Sequence, residues 1–157
     1  MHDMLVKLYD LNYDNYSDHQ NGILVRKPIG PERCLVIDWV RKKFNSAWAS
    51  ETSVALSNRP STCFIALQNK KIVGFACYDA TALGYFGPMG VSLMSRKKGI
   101  GELLLKISLL DMKNRGYGYA IIGGVGPAKF YEKTVGAVDI EGSDPGIWKT
   151  WVRDGLF

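Results

Sequence analysis

Cysteine and histidine are scarce in this sequence, and that scarcity narrows its chemistry at once. Its 157 residues hold three cysteines, Cys34, Cys63 and Cys77, odd in number, far apart and never in a Cys-x-x-Cys pair. Neither a disulfide framework nor a zinc site is expected, and all three read as reduced core residues. The two histidines, His2 and His19, have no ligand-like spacing, so no metal is expected. No apolar run approaches the roughly 18 residues of a membrane span, and the opening residues lack the basic and long apolar regions of a secretory signal. A cytoplasmic chain without a membrane partner is the expectation. Also missing are the P-loop pattern, the Gly-x-Ser-x-Gly elbow and His-Glu-x-x-His, and Gly116, Gly118, Gly123, Gly124 and Gly126 do not form Gly-x-Gly-x-x-Gly. NTPase, serine-hydrolase, zincin and dinucleotide readings fall.

What is present describes an ordinary globule. An apolar share of 46% in 157 residues suits a single domain over 1–157 with one sizeable core. The net charge of +5 hides an asymmetry. Met1 to Gln20 carries four aspartates against one lysine, which leaves 19 basic and 11 acidic residues, a surplus of eight, on the rest. Such a body favours anions, be they nucleic acid, a membrane surface or a phosphorylated small molecule, or is simply a solvated basic surface.

The pattern of apolar residues lays out the elements. Leu5, Val6 and Leu8 read as an edge strand before a polar loop, and Ile23 to Arg26 as a strand. Gly30-Pro31-Glu32 opens a helix whose Val36, Trp39, Val40 and Phe44 share a face. A second helix over Ala47 to Leu56 stops near Pro60. Thr62 to Leu67 and Ile72 to Tyr78 form an antiparallel hairpin, and Tyr85 to Leu93 a strand interrupted by Gly87, Pro88 and Gly90. A long helix to about Arg115 buries Ile100, Leu103, Leu104, Ile107 and Leu110, with Glu102/Lys106 and Asp111/Arg115 as i,i+4 pairs. Tyr117 to Ile122 is a strand, Pro127 to Lys133 a helix, and Val138 to Glu141 and Ile147 to Val152 are closing strands. This order describes a mixed α/β or α+β domain.

One segment carries chemistry. Arg96-Lys97-Lys98-Gly99-Ile100-Gly101 sits between a strand and a helix N-terminus. Unpaired amides, the helix dipole, glycines that admit close approach and three basic side chains make an anion site suited to a pyrophosphate. The bland alternative is a basic turn with a glycine-rich helix start.

Arg96-x-x-Gly99-x-Gly101, following Gly87-Pro88-Met89-Gly90-Val91-Ser92-Leu93, resembles the coenzyme A motif of the GNAT acetyltransferase superfamily, [Gln/Arg]-x-x-Gly-x-[Gly/Ala]. Phe130-Tyr131-Glu132-Lys133 with Gly136-Ala137 resembles the stretch that opens the family's last helix-strand unit, and the element order agrees from Ile23 to Val152. The resemblance implies a mixed central sheet of six to seven strands, splayed between two central parallel strands, with about four helices. It implies acetyl-CoA or CoA as cosubstrate: backbone at Met89, Gly90 and Val91 holding pantetheine and polarising the thioester carbonyl, amides of Lys97, Lys98, Gly99, Ile100, Gly101 and Glu102 holding the pyrophosphate, and Arg96 bracing the loop. It implies direct attack by an amine, with Tyr131 donating a proton to the leaving thiolate. A phenol of pKa about 10 is protonated at neutral pH and a thiol of about 8.5 leaves better with a proton waiting.

No acid occurs in Tyr85 to Leu93, where many members keep a general base, so Asp79, Tyr78 and Glu51 are the candidates, beside a water chain. Trp48, Glu51, Trp148 and Trp151 fall where the family builds its acceptor site, and Trp148 and Trp151 equally suit a homodimer surface. The acceptor is a small-molecule or peptide amine of open identity. A non-catalytic acyl-CoA binding or sensing module is the alternative. An RNA-binding domain would need interleaved aromatic and basic motifs that are missing here, so no nucleic acid is expected.

Overall fold

The computed structural model describes residues 1–14 and 17–153. Its strands are β1 (Met4–Lys7), β2 (His19–Gln20), β3 (Ile23–Arg26), β4 (Cys63–Gln68), β5 (Lys71–Tyr78), β6 (Tyr85–Val91), β7 (Tyr119–Ile122) and β8 (Val138–Asp139). Its helices are α1 (Arg33–Lys43), α2 (Ser46–Ser57), α3 (Ile100–Asn114) and α4 (Ala128–Val135). The strands form one sheet in the order β2-β3-β4-β5-β6-β7-β1-β8. Every neighbouring pair is antiparallel except β6 and β7, which run parallel in the middle. The mixed α/β class and central parallel pair stand as expected. Eight strands stand where the resemblance implies six to seven: β2 is a two-residue ladder that the sequence pattern does not mark, while β8 is the shortened form of the strand read over Val138 to Glu141.

Each face of the sheet has its own core. On one, α3 and α4 cover Met4, Val6, Val25, Ala76, Phe86 and Ala120, together with Leu104, Leu105 and Leu109 of α3, in the larger cluster. On the other, α1 and α2 pack Val36, Val40, Ala49 and Leu56 onto Ile65, Phe75 and Cys77. Asn45 caps α2 by accepting from the Trp48 amide at 2.8 Å, which locks the sharp turn between α1 and α2. Glu32 of the preceding turn takes both Arg26 guanidinium nitrogens, at 2.8 and 2.7 Å, and the Ile29 amide.

Several expectations are corrected. The first strand is interior, flanked by β7 and β8, with Met4, Val6 and Leu8 fully buried; part of the polar stretch after it, residues 15–16, lies outside the described residues. On α3, Leu105, Leu109 and Met112 are fully buried and Leu110 only partly, because the helix lies flat on the sheet and buries a broader stripe than one i,i+4 row. Asp111 pairs with Lys27 at 3.0 Å and accepts from the Tyr78 hydroxyl at 2.6 Å, while Arg115 donates to that same hydroxyl; tyrosine bridges the expected i,i+4 pair. Cys34 is exposed on α1, whereas Cys63 and Cys77 face each other across β4 and β5 in the core. Residues Ile147 to Val152 form no strand: Trp148 donates to Pro145 O and Trp151 to Trp148 O, so the Pro-Gly turn winds on into a 3-10 segment over Gly146–Thr150.

Candidate active site

A gap opens in the middle of the sheet. The parallel ladder between β6 and β7 contains only Tyr85↔Ile121 and Phe86↔Ile122. Gly87 then takes φ +120, a region that other residues rarely enter, and Pro88 has no amide to give. Beyond them β6 stays with β5, pairing Met89 with Ala76, Gly90 with Phe75 and Val91 with Gly74, after a register shift between Ala76 and Tyr78. The shift changes which side chains face which way: Phe86, Met89 and Val91 pack with the α3 face, while a Cβ on Gly90 would run into the Phe44 ring on the α1–α2 face. Ser92 donates to Val73 O, so by alternation the main-chain groups of Met89 and Val91 turn away from β5 into the gap.

The loop after β6 closes this gap at one end. Arg96 Nε donates to Val91 O at 3.1 Å, tying the loop back to the strand. Lys97 (φ 64) and Gly99 (φ 78) both take left-handed backbone, and α3 starts at Ile100, so the amides of Ile100, Gly101 and Glu102 have no intrahelical acceptor. A Cβ on Gly101 would find nothing nearer than Val91 Cγ2 at 3.8 Å and Met89 Cε at 3.9 Å, so the helix start is open in front of the glycine. Lys97 and Lys98 are exposed. Glu102 accepts from Lys106 at 2.6 Å, which offsets its negative charge at the N-terminal end of α3. A cavity of about 390 Å³ lies alongside, lined by Asn21, Lys98, Gly99, Glu102 and Lys106 among others.

Tyr131 of α4 is 8% exposed and belongs to the core cluster on the α3 face, against which Met89 and Val91 also pack. Phe130 meets it edge-on at 5.0 Å. Burial alone pushes its hydroxyl up to about 12, which keeps it a proton donor throughout the neutral range.

The acids and phenols weighed as bases fare differently. Asp79 is spent on structure, accepting from the Gly84 amide at 2.7 Å and the Tyr117 hydroxyl at 2.6 Å. Tyr78 is fully buried beneath α3. Glu51 accepts from the Thr81 hydroxyl, and burial raises its carboxyl above the usual range. Sequence reasoning missed Asp3. It is 4% exposed, and it accepts from the Gly124 amide at 2.9 Å and the Tyr85 hydroxyl at 3.3 Å. No local pattern marks it, because its partners come from residues more than eighty positions away.

Aromatics line the α1–α2 face. Trp39, Phe44 and Trp48 interlock with Phe75 at centroid distances of 5.0–6.2 Å. Trp148 and Trp151 stack edge-on at 5.4 Å, and the Trp148 indole nitrogen, beside Gly124, is buried without a hydrogen-bond partner among the described residues. The four acceptor-side residues named from the sequence thus fall into two groups, Trp48 and Glu51 on α2, Trp148 and Trp151 on the 3-10 segment and just after it.

The sheet thus parts at its central parallel pair and meets an open, glycine-containing helix start at one end of the gap. The acetyltransferase (GNAT) family model matches residues 32–137, and the chain belongs to that family. No curated protein matches the chain. Among solved structures, a GCN5-related N-acetyltransferase from Sphaerobacter thermophilus superposes with TM-score 0.69 at 20% identity, over 88% of this chain and 48% of that one. A glucosamine N-acetyltransferase region of a fungal multi-domain β-N-acetylglucosaminidase gives 0.69 at 15% identity, over 88% of this chain and 19% of that one. An aminoglycoside acetyltransferase from a soil metagenome gives 0.54 at 17% identity, over 73% and 88%. At these identities the likeness is one of fold. The chain spans under half the length of the first two.

Proposed function

We propose that this chain is an N-acetyltransferase, which moves an acetyl group from acetyl-CoA to a primary amine by direct attack, with residues 1–157 acting as one catalytic domain. The observation that carries the reading is the gap after Phe86 joined to an open helix start at Gly99–Gly101. In this reading the pyrophosphate lies on the amides of Lys97 to Glu102, which donate to its oxygens while the dipole of α3 and the neighbouring lysines balance its charge. Pantetheine runs along Met89, Gly90 and Val91 in place of the missing β7 pairing, and a main-chain N–H there stabilises the developing oxyanion. Tyr131 supplies the proton to the departing thiolate, and its raised pKa ensures that it holds one. The acceptor enters from the α1–α2 face. Among the described residues, no helix is long and apolar enough to cross a membrane.

The test begins with ligand-dependent melting. Coenzyme A at a hundredfold excess over Kd stabilises by about 2.7 kcal/mol, and ATP and NAD should do much less. Release of free thiol from acetyl-CoA across an amine panel then separates an enzyme from a non-catalytic acyl-CoA sensor. An unmoved transition with both coenzyme A and acetyl-CoA at millimolar concentration would overturn both.

A further inference from the structure

Asp3 poses a question that the reading above does not answer. A carboxylate this buried ordinarily sits beside a cation, yet among the described residues no lysine, arginine or histidine pairs with it. The nearby Met1 amino group goes to Asp144 and His2 to Asp139. Among the described residues its side chain meets neutral donors alone, the Gly124 amide on Oδ1 and the Tyr85 hydroxyl on Oδ2.

Its position is specific. Met4 and Val6 face α3, so by alternation Asp3 projects to the other face of the sheet. Phe86 also faces α3, so Tyr85 likewise projects to the α1–α2 side, and its ring covers Gly123, where a Cβ would stand 2.6 Å from Cδ2. Tyr85↔Ile121 and Phe86↔Ile122 are the two rungs of the parallel ladder. The Tyr85–Asp3 pair therefore stands at the point where β6 and β7 part, on the side from which the acceptor approaches. Tyr85 is only partly buried, and its hydroxyl is the group that reaches the closed-off carboxylate.

We propose that Tyr85 and Asp3 form the proton exit for the attacking amine, with Tyr85 as the group that touches the acceptor and Asp3 as the positioning residue behind it. The inference rests on the acyl-transfer reading. With its hydrogen committed to Asp3, the Tyr85 oxygen has lone pairs free to accept an N–H of the amine. As the nitrogen bonds to the acetyl carbon and the C–S bond breaks with its electron pair going to sulfur, the amine proton passes to Tyr85 oxygen and the phenolic proton to Asp3 Oδ2. The thiolate takes its proton from Tyr131. Asp3 then returns one proton to water and Tyr131 regains one, so protons and charge balance over a turnover. Burial and the Asp3 charge raise the Tyr85 pKa, which keeps the phenol a donor to Asp3 in the resting state.

The test compares Tyr85→Phe, Asp3→Asn and the double variant with the parent, using acetyl-CoA and the best acceptor from a panel of glucosamine, spermidine and alanine amide. In Asp3→Asn the side-chain amide can donate to the tyrosine oxygen and block it. For both single variants kcat should fall roughly ten- to a hundredfold, a range that reaches the lower end of the usual scale for a lost proton-transfer group. Coenzyme A Kd and the acetyl-CoA KM should stay within about twofold. The double variant should be no slower than the slower single, because the pair acts as a unit. If Asp3→Asn fails to fold, Tyr85→Phe, which keeps the ring over Gly123, decides alone. Parental kcat in Tyr85→Phe, or coenzyme A affinity falling in step with kcat, overturns the inference while leaving acyl transfer standing. A parent that binds coenzyme A and acetylates no amine overturns the acyl-transfer reading and this inference with it.

Discussion

Gly90→Ala is the smallest change that probes how β6 is held beside the gap. Gly90 has ordinary strand φ, so alanine brings no backbone strain; the difference is one methyl group. That methyl would overlap Phe44 Cζ and stand 2.7 Å from Cε1 and 2.9 Å from Cε2. Phe44 is no free end, since it is wedged against Trp39, Trp48 and Phe75. Either the aromatic cluster shifts or β6 lifts from β5, and overpacking of this kind costs about 1–3 kcal/mol. For a chain of this size each kcal/mol lowers Tm by roughly 2–4 °C, so thermal and urea unfolding should resolve it easily. Phe44→Leu supplies the control. Leucine withdraws the ring edge and loses packing by itself, but combined with Gly90→Ala it should recover part of the loss, leaving a coupling energy of about 0.5–3 kcal/mol between the two sites. A Gly90→Ala protein as stable as the parent, or strictly additive effects, would refute the packing argument and with it the fixed position of β6.

Four further outcomes are expected. Tyr131→Phe should leave coenzyme A binding nearly unchanged and lower kcat by about a hundredfold or more with the best acceptor, an effect that shrinks for acyl donors with a more acidic thiol; equal turnover would make the tyrosine structural. Gly101→Val should abolish coenzyme A affinity in a titration while the protein still melts cooperatively, because the open space before the helix start is filled; unchanged affinity would place the phosphates elsewhere. Glu32, held down at about 2 chiefly by the Arg26 guanidinium against an ordinary 4.5, contributes stability present above pH 4.5 and lost as pH falls toward 2. Urea midpoints of Glu32→Gln should therefore converge on the parent's only in acid, and a constant difference across that range would count against the pair. Deleting residues 1–8 removes Met4, Val6 and Leu8, each worth about 1.5–3 kcal/mol when buried, a loss comparable to the total stability of a domain, so far-UV circular dichroism should show no cooperative unfolding; a well-folded deletion would contradict the interior place of β1.

The sequence made legible what depends on local pattern. Helices α1 to α3 and strands β3 to β6 fall within a few residues of where periodicity, caps and turn residues put them, and the Gly87-Pro88 interruption of β6 announced that its ladder was disturbed. The loop before α3 was readable because glycine, lysine and a helix start are contiguous. Legibility ended where placement depends on distant segments. Leu5, Val6 and Leu8 mark a strand, but nothing in them says that Ile122 and Asp139 flank it. Asp3 resembles any surface aspartate until Tyr85 and Gly124 are brought to it. The closing stretch misled for a local reason: the aromatic and β-branched run Ile147 to Val152 has strand composition, yet Pro145 and the left-handed Gly146 start a helical turn that composition alone does not register.

The interior position of β1 also sets an order of events at the ribosome. Met4–Lys7 emerges more than a hundred residues ahead of the strands on either side of it, Tyr119–Ile122 and Val138–Asp139. At about 5–20 residues per second of synthesis, the first strand waits on the order of ten seconds for a partner. During that wait its apolar residues are flanked by Asp3 and Asp10, charges that discourage pairing with foreign strands. Closing the sheet is then an insertion between two late arrivals, a contact of high sequence separation and so a slow one. Until it happens, β7 has no support on its β1 side and Tyr85 has no carboxylate behind it. The nascent chain can carry the glycine-lysine loop before α3 long before β1 closes the sheet beside it.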